Sequence, residues 1–307
     1  MTEPREPDRT ITLHQLRTFR AVADQLSFSA AASELHLSQP SVSYQVKELE
    51  EVLGVSLLDR LGKRVRLTEA GEILYGYTQR TLNLLDEAAL VMEQLRGIER
   101  GTLRVGATAT VGIYVVPLAL GAYKRKHPKL AVSLEIGGRE QLESRLRAGA
   151  IDLAVMTPPF TDPDLEPTPV MEDELVMVVP PGHPLAQRRR LTLADFGDES
   201  FLMREPGSGT RTAVEQAARS AGVSLQVGME LGSNGAIKHA VEAGLGVAVL
   251  SRHAIELERR EGGLVVVDVA GFPIRREWNV IRLRRRRLPG PVEGFIDFLG
   301  SDQWRAR

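Results

Sequence analysis

The chain has 307 residues, which at about 150 per domain makes roughly two domains with space for a small third module. Apolar residues are 43% and charged residues 26%, the range of soluble globular proteins, and a formal net charge of -1 singles out no partner class. Cysteine is absent, which excludes disulfides, thiolate nucleophiles, iron–sulfur clusters and Cys-ligated zinc.

The first nine residues are polar and carry acids, unlike a secretory signal, and residues 1–11 are expected to be a disordered tail. No run reaches the roughly 18 apolar residues of a membrane span, so a cytoplasmic protein with no membrane partner is expected.

From Thr12 the pattern is helical. Thr12-Leu13-His14-Gln15 is a capping box, followed by Leu13, Leu16, Phe19, Val22 and Leu26 at helical spacing. Ser29 is placed to cap a short helix, Ala30–Leu35, and Ser38 a third, whose first turn tolerates Pro40. In the third helix Val42, Val46, Leu49 and Leu53 form one narrow buried stripe. The opposite face carries Pro40, Tyr44 and Lys47, flanked by Gln39, Ser41, Ser43 and Glu48; with the cap Ser38 its N-terminal groups are short donors, an amide, a phenol and one cation, which suit base edges and phosphates in a major groove. An ordinary solvated helix face is the competing reading.

Leu58 to Thr68 then alternates around Gly62 with Arg60, Lys63, Arg64 and Arg66 clustered, the pattern of a β-wing whose basic tip follows a phosphate backbone. Residues 10–70 hold seven cations and seven acids, so clustering rather than net charge is the signal. From Glu69 to about Arg96 a further helix repeats Leu74, Tyr77, Thr81, Leu84, Ala88, Val91 and Leu95 as a heptad seam. Its expected cover is a second copy, giving a homodimer with two reading heads on one duplex; packing on the C-terminal domain is the alternative.

A polar stretch with Gly97 and Gly101 marks the boundary. Beyond it, strands are expected at Leu103–Ala107, Ala131–Ile136, Asp152–Met156, Leu175–Val179, Leu225–Glu230, Val247–Leu250, Leu264–Val267 and Trp278–Leu283. Helices are expected at Val111–Lys126, Arg139–Ala148, Arg211–Ala221, Gly235–Ala243 and Pro291–Leu299, an α/β domain with mostly parallel sheets. Three segments lead into helices through small hydroxyl and Gly residues, at Thr108-Ala109-Thr110 after the first strand, Gly207-Ser208-Gly209-Thr210 and Gly232-Ser233-Asn234. Such N-termini present free N–H groups to carboxylate or phosphate, although Ser and Thr there usually serve only as caps. The run Arg282 to Arg287 reads as surface that meets a partner subunit or acids elsewhere.

Residues 12–71 resemble the DNA-binding domain of LysR-type transcriptional regulators. The matching segments are Leu16-Arg17-Thr18-Phe19, Ser27-Phe28-Ser29-Ala30-Ala31-Ala32, Leu37-Ser38-Gln39-Pro40-Ser41-Val42-Ser43, Leu49-Glu50 and Leu67-Thr68-Glu69-Ala70-Gly71. Tyr44 stands where Arg is common in the family, and Leu58 where Phe is common. The similarity extends over the whole chain. It implies an α/β chain with an N-terminal all-α winged helix-turn-helix (12–68), a long linker helix for dimerisation (69–97) and a two-lobed, periplasmic-binding-protein-like effector domain (101–307). Lobe I is placed at about 101–165 and 268–307 and lobe II at about 166–267.

The effector domain is similar to the cysteine-biosynthesis and carbon-fixation regulator branches. By that resemblance Thr108, Thr110, Thr157 and Ser208 match anion-binding positions, with Arg204 and Asn234 as further candidates. The implied partners are double-stranded promoter DNA, a small anionic effector, a second copy through the linker helix, dimers paired into a homotetramer, and RNA polymerase. No cofactor or metal is implied.

The histidines are scattered with no His-x-x-x-His pair, and neither a Gly-x-Ser-x-Gly elbow nor a phosphate-loop motif occurs, so an enzyme is not expected. A solute-binding receptor without a regulatory role is the alternative function; it would leave the winged head idle.

Overall fold

The computed structural model describes residues 10–61, 64–95, 101–286 and 288–305. The expectations for residues 1–9, the Gly62-Lys63 turn, the stretch around Gly97 and Arg287 lie outside these residues, as do the side chains of Arg60 and Arg64. The chain forms two compact units; residues up to Met92 make most of the first and residues from Glu93 most of the second.

In the first unit α1 (Leu13–Gln25) starts with the expected capping box. The Thr12 hydroxyl accepts the Gln15 N–H, and the Gln15 side chain accepts the Thr12 N–H. Helix α2 (Phe28–Glu34) begins earlier than expected. Its cap is Ser27, which accepts the Ala30 N–H, and not Ser29. The earlier start brings Phe28 into the helix and the core. Helix α3 (Gln39–Leu53) is capped by Ser38, with Pro40 in its first turn. Val42, Val46 and Leu49 are inaccessible and cluster with Phe19, Val22 and Ala31, while Leu53 is partly buried. At about 1.5–3 kcal/mol for each large apolar side chain buried, these contacts fix the roll of α3 and turn its polar side outward.

Strands β1 (Leu58–Leu61) and β2 (Arg64–Leu67) pair antiparallel, Leu58 opposite Leu67 and Asp59 opposite Arg66. Glu50 ties this hairpin to α3, its Oε1 accepting the N–H groups of Leu57 and Leu58 at 2.7 and 3.2 Å. Helix α4 (Glu69–Leu95) is capped by Thr68, which accepts the Gly71 N–H at 3.0 Å. Gly71 is required there, since a Cβ would lie 2.0 Å from the Leu57 carbonyl oxygen. Gly71, Thr78 and Leu82 are covered, whereas Ile73, Tyr77, Leu84 and Met92 are each more than half exposed. Of the expected seam, Tyr77, Thr81, Leu84 and Ala88 face outward, Leu74 is partly buried, and the Val91 and Leu95 side chains lie outside the description.

The second unit opens with an alternating run: β3 (Gly101–Ala107), α5 (Ala109–Tyr114), α6 (Val116–Lys126), β4 (Leu130–Ile136), α7 (Arg139–Arg147) and β5 (Leu153–Met156). The long β6 (Leu165–Val179) leads out of it. A second run follows: β7 (Ser200–Arg204), α8 (Gly209–Ser220), β8 (Gln226–Leu231), α9 (Asn234–Glu242), β9 (Ala248–Ser251), α10 (Glu256–Glu261) and β10 (Val265–Val267). Strand β11 (Ile274–Leu283) returns to α11 (Gly290–Gly300). The helix expected over 111–126 is two helices meeting at Val115, and β7 was not foreseen.

The main sheet runs β10-β6-β11-β5-β3-β4, with β9 also on β6, and β7 pairs β8 apart from it. Pairs β3–β4, β3–β5 and β7–β8 are parallel, but β6 meets β9, β10 and β11 antiparallel and β11 meets β5 antiparallel. The sheet is therefore mixed rather than mostly parallel, because β6 and β11 run side by side in opposite directions between two lobes. Trp278 and Met171 of these strands join one core with Leu103, Val116 and Phe295; Leu175 and Met177 join another with Phe196, Phe201 and Val249. The basic run after β11 is held to its own lobe. Arg282 pairs with Glu166 at 3.0 Å, Arg286 with the buried Asp152 at 2.9 Å, and Arg284 donates to the Pro163 carbonyl.

Candidate functional site

Two groups of residues were expected to carry function. On α3, Ser38, Gln39, Pro40, Tyr44 and Lys47 are exposed and Ser41 and Ser43 partly so, which follows from the burial of the opposite stripe. Tyr44 is 59% exposed. Several of these groups are engaged along the helix. Gln39 donates to the Ser43 hydroxyl at 2.9 Å, Lys47 pairs with Glu51 at 3.4 Å, and the Tyr44 hydroxyl donates to Glu48 Oε1 at 3.0 Å. That hydrogen bond, with the charge of Glu48, raises the Tyr44 pKa above its ordinary value. Gln15 donates to the other Glu48 oxygen, so that carboxylate is capped from two sides. Arg66 is exposed on the hairpin opposite Asp59.

The second group meets between the lobes. Thr108 and Thr157 end the adjacent parallel strands β3 and β5, Ser208 follows β7 and Asn234 follows β8, so all four lie at the carboxyl ends of parallel strands. That is where α/β sheets bind small ligands. Ser208 stands at the N-cap of α8 and Thr108 at that of α5, yet neither side chain makes a capping hydrogen bond. Thr157 is 7% exposed, and its hydroxyl has no hydrogen-bond partner among the described residues. A Cβ on Gly209 would lie 2.6 Å from Thr157 Oγ1, so the start of α8 abuts Thr157.

Arg204, Asn234 and Thr110 are linked in a buried chain. Arg204 Nη1 donates to Asn234 Oδ1 at 2.9 Å, and Asn234 Nδ2 donates to Thr110 Oγ1 at 3.1 Å. This chain sets the amide orientation and leaves the Thr110 proton to be given elsewhere. Arg204 Nε and Nη2 donate to the two Glu205 carboxylate oxygens at 2.7 Å each. Burial works against ionisation of Glu205, but its hydrogen bonds and the adjacent guanidinium charge outweigh it and hold the pKa below the ordinary value. Arg204 and Asn234 thus hold Thr110, and the charge of Arg204 also acts on Arg276.

Two further cations had no motif to announce them. Arg139 donates to the carbonyls of Thr157 and Pro159 at 2.5 and 2.8 Å and fixes the segment after β5; burial pushes its pKa down, with the charge of Glu143 opposing. Arg276 on β11 places Nη1 3.7 Å from where a Gly209 Cβ would stand. The positive charge near the hydroxyls suits an anion. Among the described residues no group of three or more His, Asp or Glu side chains could hold a metal, and no helix is long and apolar enough to cross a membrane.

Comparison with known proteins bears on both groups. Residues 13–72 match the bacterial regulatory helix-turn-helix protein, lysR family, and residues 96–303 match the LysR substrate binding domain. The RuBisCO operon transcriptional regulator of Allochromatium vinosum is 41% identical over 295 residues, 96% of this chain and 97% of that protein. The structure of the Synechocystis PCC6803 CcmR regulatory domain in complex with 2-PG is 36% identical, with a TM-score of 0.62 over 66% of this chain and 96% of that one. Full-length OxyR from Pseudomonas aeruginosa gives a TM-score of 0.75 at 27% identity, over 97% of this chain and 95% of its own.

Proposed function

Because the chain belongs to the LysR family of transcriptional regulators, we propose that its α3 face reads promoter DNA and that a small anion bound between the effector lobes controls that reading. The observation that carries the effector half is the convergence of unengaged hydroxyls, at Thr108, Thr157 and Ser208, on one interlobe region, with Thr110 oriented as a donor beside them. Capping alone would have occupied the hydroxyls of Thr108 and Ser208. Strand-end hydroxyls and the N–H groups opening α8 give an oxyanion donors from several directions.

The CcmR regulatory domain, which has been solved with 2-PG, is similar over two thirds of the chain, and the relatives include regulators of RuBisCO operons. A phosphorylated small acid is accordingly our effector class, and carbon-fixation genes our target class. In the head, Ser38, Gln39, Pro40, Ser41, Ser43, Tyr44 and Lys47 meet the major groove, and Arg60, Lys63, Arg64 and Arg66 the phosphates. The exposed Ile73, Tyr77, Leu84 and Met92 support α4 as the homodimer seam. Reading head, linker and effector domain take residues 12–68, 69–97 and 101–307. Dimers pair into a tetramer, RNA polymerase is a further partner, and the protein works in the cytoplasm without catalysing a reaction.

The effector acts by preferring one lobe arrangement over another, since equal affinity for both would shift nothing. A gel shift with the intergenic DNA upstream of the gene, at low salt and with 2-PG titrated in, tests both halves. A retarded band whose midpoint moves with 2-PG is expected. No band would overturn the DNA half, and a band indifferent to 2-PG and to other anionic metabolites the effector half.

A further inference from the structure

Arg276 and Asp173 face each other in register on β11 and β6, the two strands that run between the lobes. The Asp173 side chain is wholly buried. Its Oδ2 accepts from Arg276 Nε and Nη2, both at 2.7 Å, and its Oδ1 accepts from the Ser251 hydroxyl at 2.6 Å. Arg276 is itself nearly buried, and burial presses its pKa down while Asp173 opposes, so a guanidinium in this place stays charged.

One nitrogen is left over. Among the described residues Nη1 has no partner, and it lies on the side of Gly209 that also faces the unengaged Thr157 hydroxyl. Neither atom is among the sealed, unpaired polar atoms of the described residues, so both donors stand open to an incoming acceptor. Nη1 and the Thr157 hydroxyl lie 3.7 and 2.6 Å from one point beside Gly209, the first residue of α8, whose opening N–H groups are further donors nearby. A planar carboxylate meets two such donors well, whereas a tetrahedral oxyanion offers an oxygen to each.

We propose that Arg276 is the charged ligand of the effector's phosphate-type oxyanion, and that Asp173 is the positioning residue that holds Nε and Nη2 and so leaves Nη1 turned toward it. This rests on the effector reading above. Attraction to Arg276 and repulsion from Asp173 both scale with the anion's charge, so a dianion gains about twice what a singly charged carboxylate gains at the same place. The two strands that hold the pair join the lobes, so the charge is fixed to the segment that any lobe motion must bend.

The test is calorimetric titration of the full-length protein with 2-PG, inorganic phosphate, sulfate and acetate. Wild type should bind the first three more tightly than acetate, and the phosphate and sulfate arms separate the two oxyanion sources. Arg276→Gln should raise Kd for the tetrahedral anions by roughly 10- to 100-fold. Since that variant strands a buried carboxylate, the double variant Arg276→Gln with Asp173→Asn removes both charges, should fold, and should stay deficient. Asp173→Asn alone removes a negative charge beside Arg276 and should nonetheless weaken phosphate binding, because Nη1 is no longer held in place, whereas a carboxylate that served only as a counter-charge would on removal let phosphate bind more tightly. A folded double variant with wild-type affinity overturns the role of Arg276, and phosphate binding as tight as wild type or tighter in Asp173→Asn overturns that of Asp173. Wild type that binds none of the anions overturns the effector reading and this inference with it.

Discussion

The two functional faces of this chain are built in opposite ways. On α3 the polar groups are neighbours in sequence, exposed, and tied to each other along one helix, as in Gln39 with Ser43 and Tyr44 with Glu48. Between the lobes the groups are distant in sequence, mostly buried, and left with hydroxyls and a guanidinium nitrogen unengaged. A face that meets a large, hydrated, uniformly charged surface needs only to be presented. A pocket for a small anion must be desolvated and aimed in advance, which takes side chains from several elements and a buried counter-charge. The difference teaches that damage to the two faces should differ in kind: loss of contact strength on α3, loss of fold or of selectivity between the lobes.

The largest effect is expected where this buried charge is stranded. Asp173→Ala leaves Arg276 and Ser251 without their acceptor and should destabilise the effector domain by about 3–5 kcal/mol. Thermal unfolding followed by circular dichroism would show it, and a Tm within a degree of wild type would mean that the pair is not structural. Gly71→Ala comes next. Its Cβ would meet the Leu57 carbonyl, and overpacking of this sort costs about 1–3 kcal/mol. Limited proteolysis should then cut residues 55–70 first; equal protection of that stretch in both proteins would break the contrast, placing a rigid constraint in the head at no cost.

What the sequence makes legible follows the same divide. The stripe Val42, Val46, Leu49 is local, so spacing alone located the outward side of α3. The α2 cap was misplaced because Ser27 and Ser29 are both good caps, and only burial of Phe28 decides between them. Strand β6 extends ten residues ahead of the expected Leu175 start, through Pro167 and Pro169, residues that disfavour a strand interior. They are tolerated since that half of β6 pairs only with β11, leaving its other edge without ladder donors to supply. Thr108, Ser208 and Asn234 announced themselves as polar residues before helices. Arg276 did not: it lies in the charged run Arg275-Arg276-Glu277, and its partner is 103 residues away. Charge type gives no hint of which of two adjacent arginines turns inward.

The third prediction sharpens the cleft side. Ser208→Ala removes a hydroxyl that caps nothing, so its stability cost should stay below about 0.5 kcal/mol, against about 1 for a working cap. Affinity for 2-PG should fall about five- to tenfold, the loss of one neutral hydrogen bond. Thermal shift with and without 2-PG reads both numbers. A marked drop in Tm without 2-PG would restore the capping role, and an unmoved affinity would take Ser208 out of the site. For the head, Arg66→Ala should weaken all DNA sequences alike and lower the slope of log affinity against log salt by about 0.9, one phosphate contact fewer. A sequence-selective loss in binding assays across 50 to 200 mM salt would move Arg66 from the backbone to the bases.

The smallest effect, and the most diagnostic of how the exposed face works, is expected at Tyr44. Its phenol proton is committed to Glu48, so toward a duplex the oxygen is an acceptor, suited to the exocyclic amino groups of adenine or cytosine in the major groove. Phenylalanine keeps the ring and deletes only that oxygen. Tyr44→Phe should therefore cost about two- to tenfold in affinity at one base position of the operator and leave nonspecific binding and the salt slope alone. It also uncovers Glu48, whose charge then faces the phosphates with only Gln15 beside it, so a second variant, Tyr44→Phe with Glu48→Gln, separates lost readout from added repulsion. If the double variant regains wild-type affinity at every position, Tyr44 serves to mask a carboxylate. If the single-position loss persists, it reads a base, and a helix whose polar groups are hydrogen-bonded to each other in the free protein still presents an oriented acceptor to DNA.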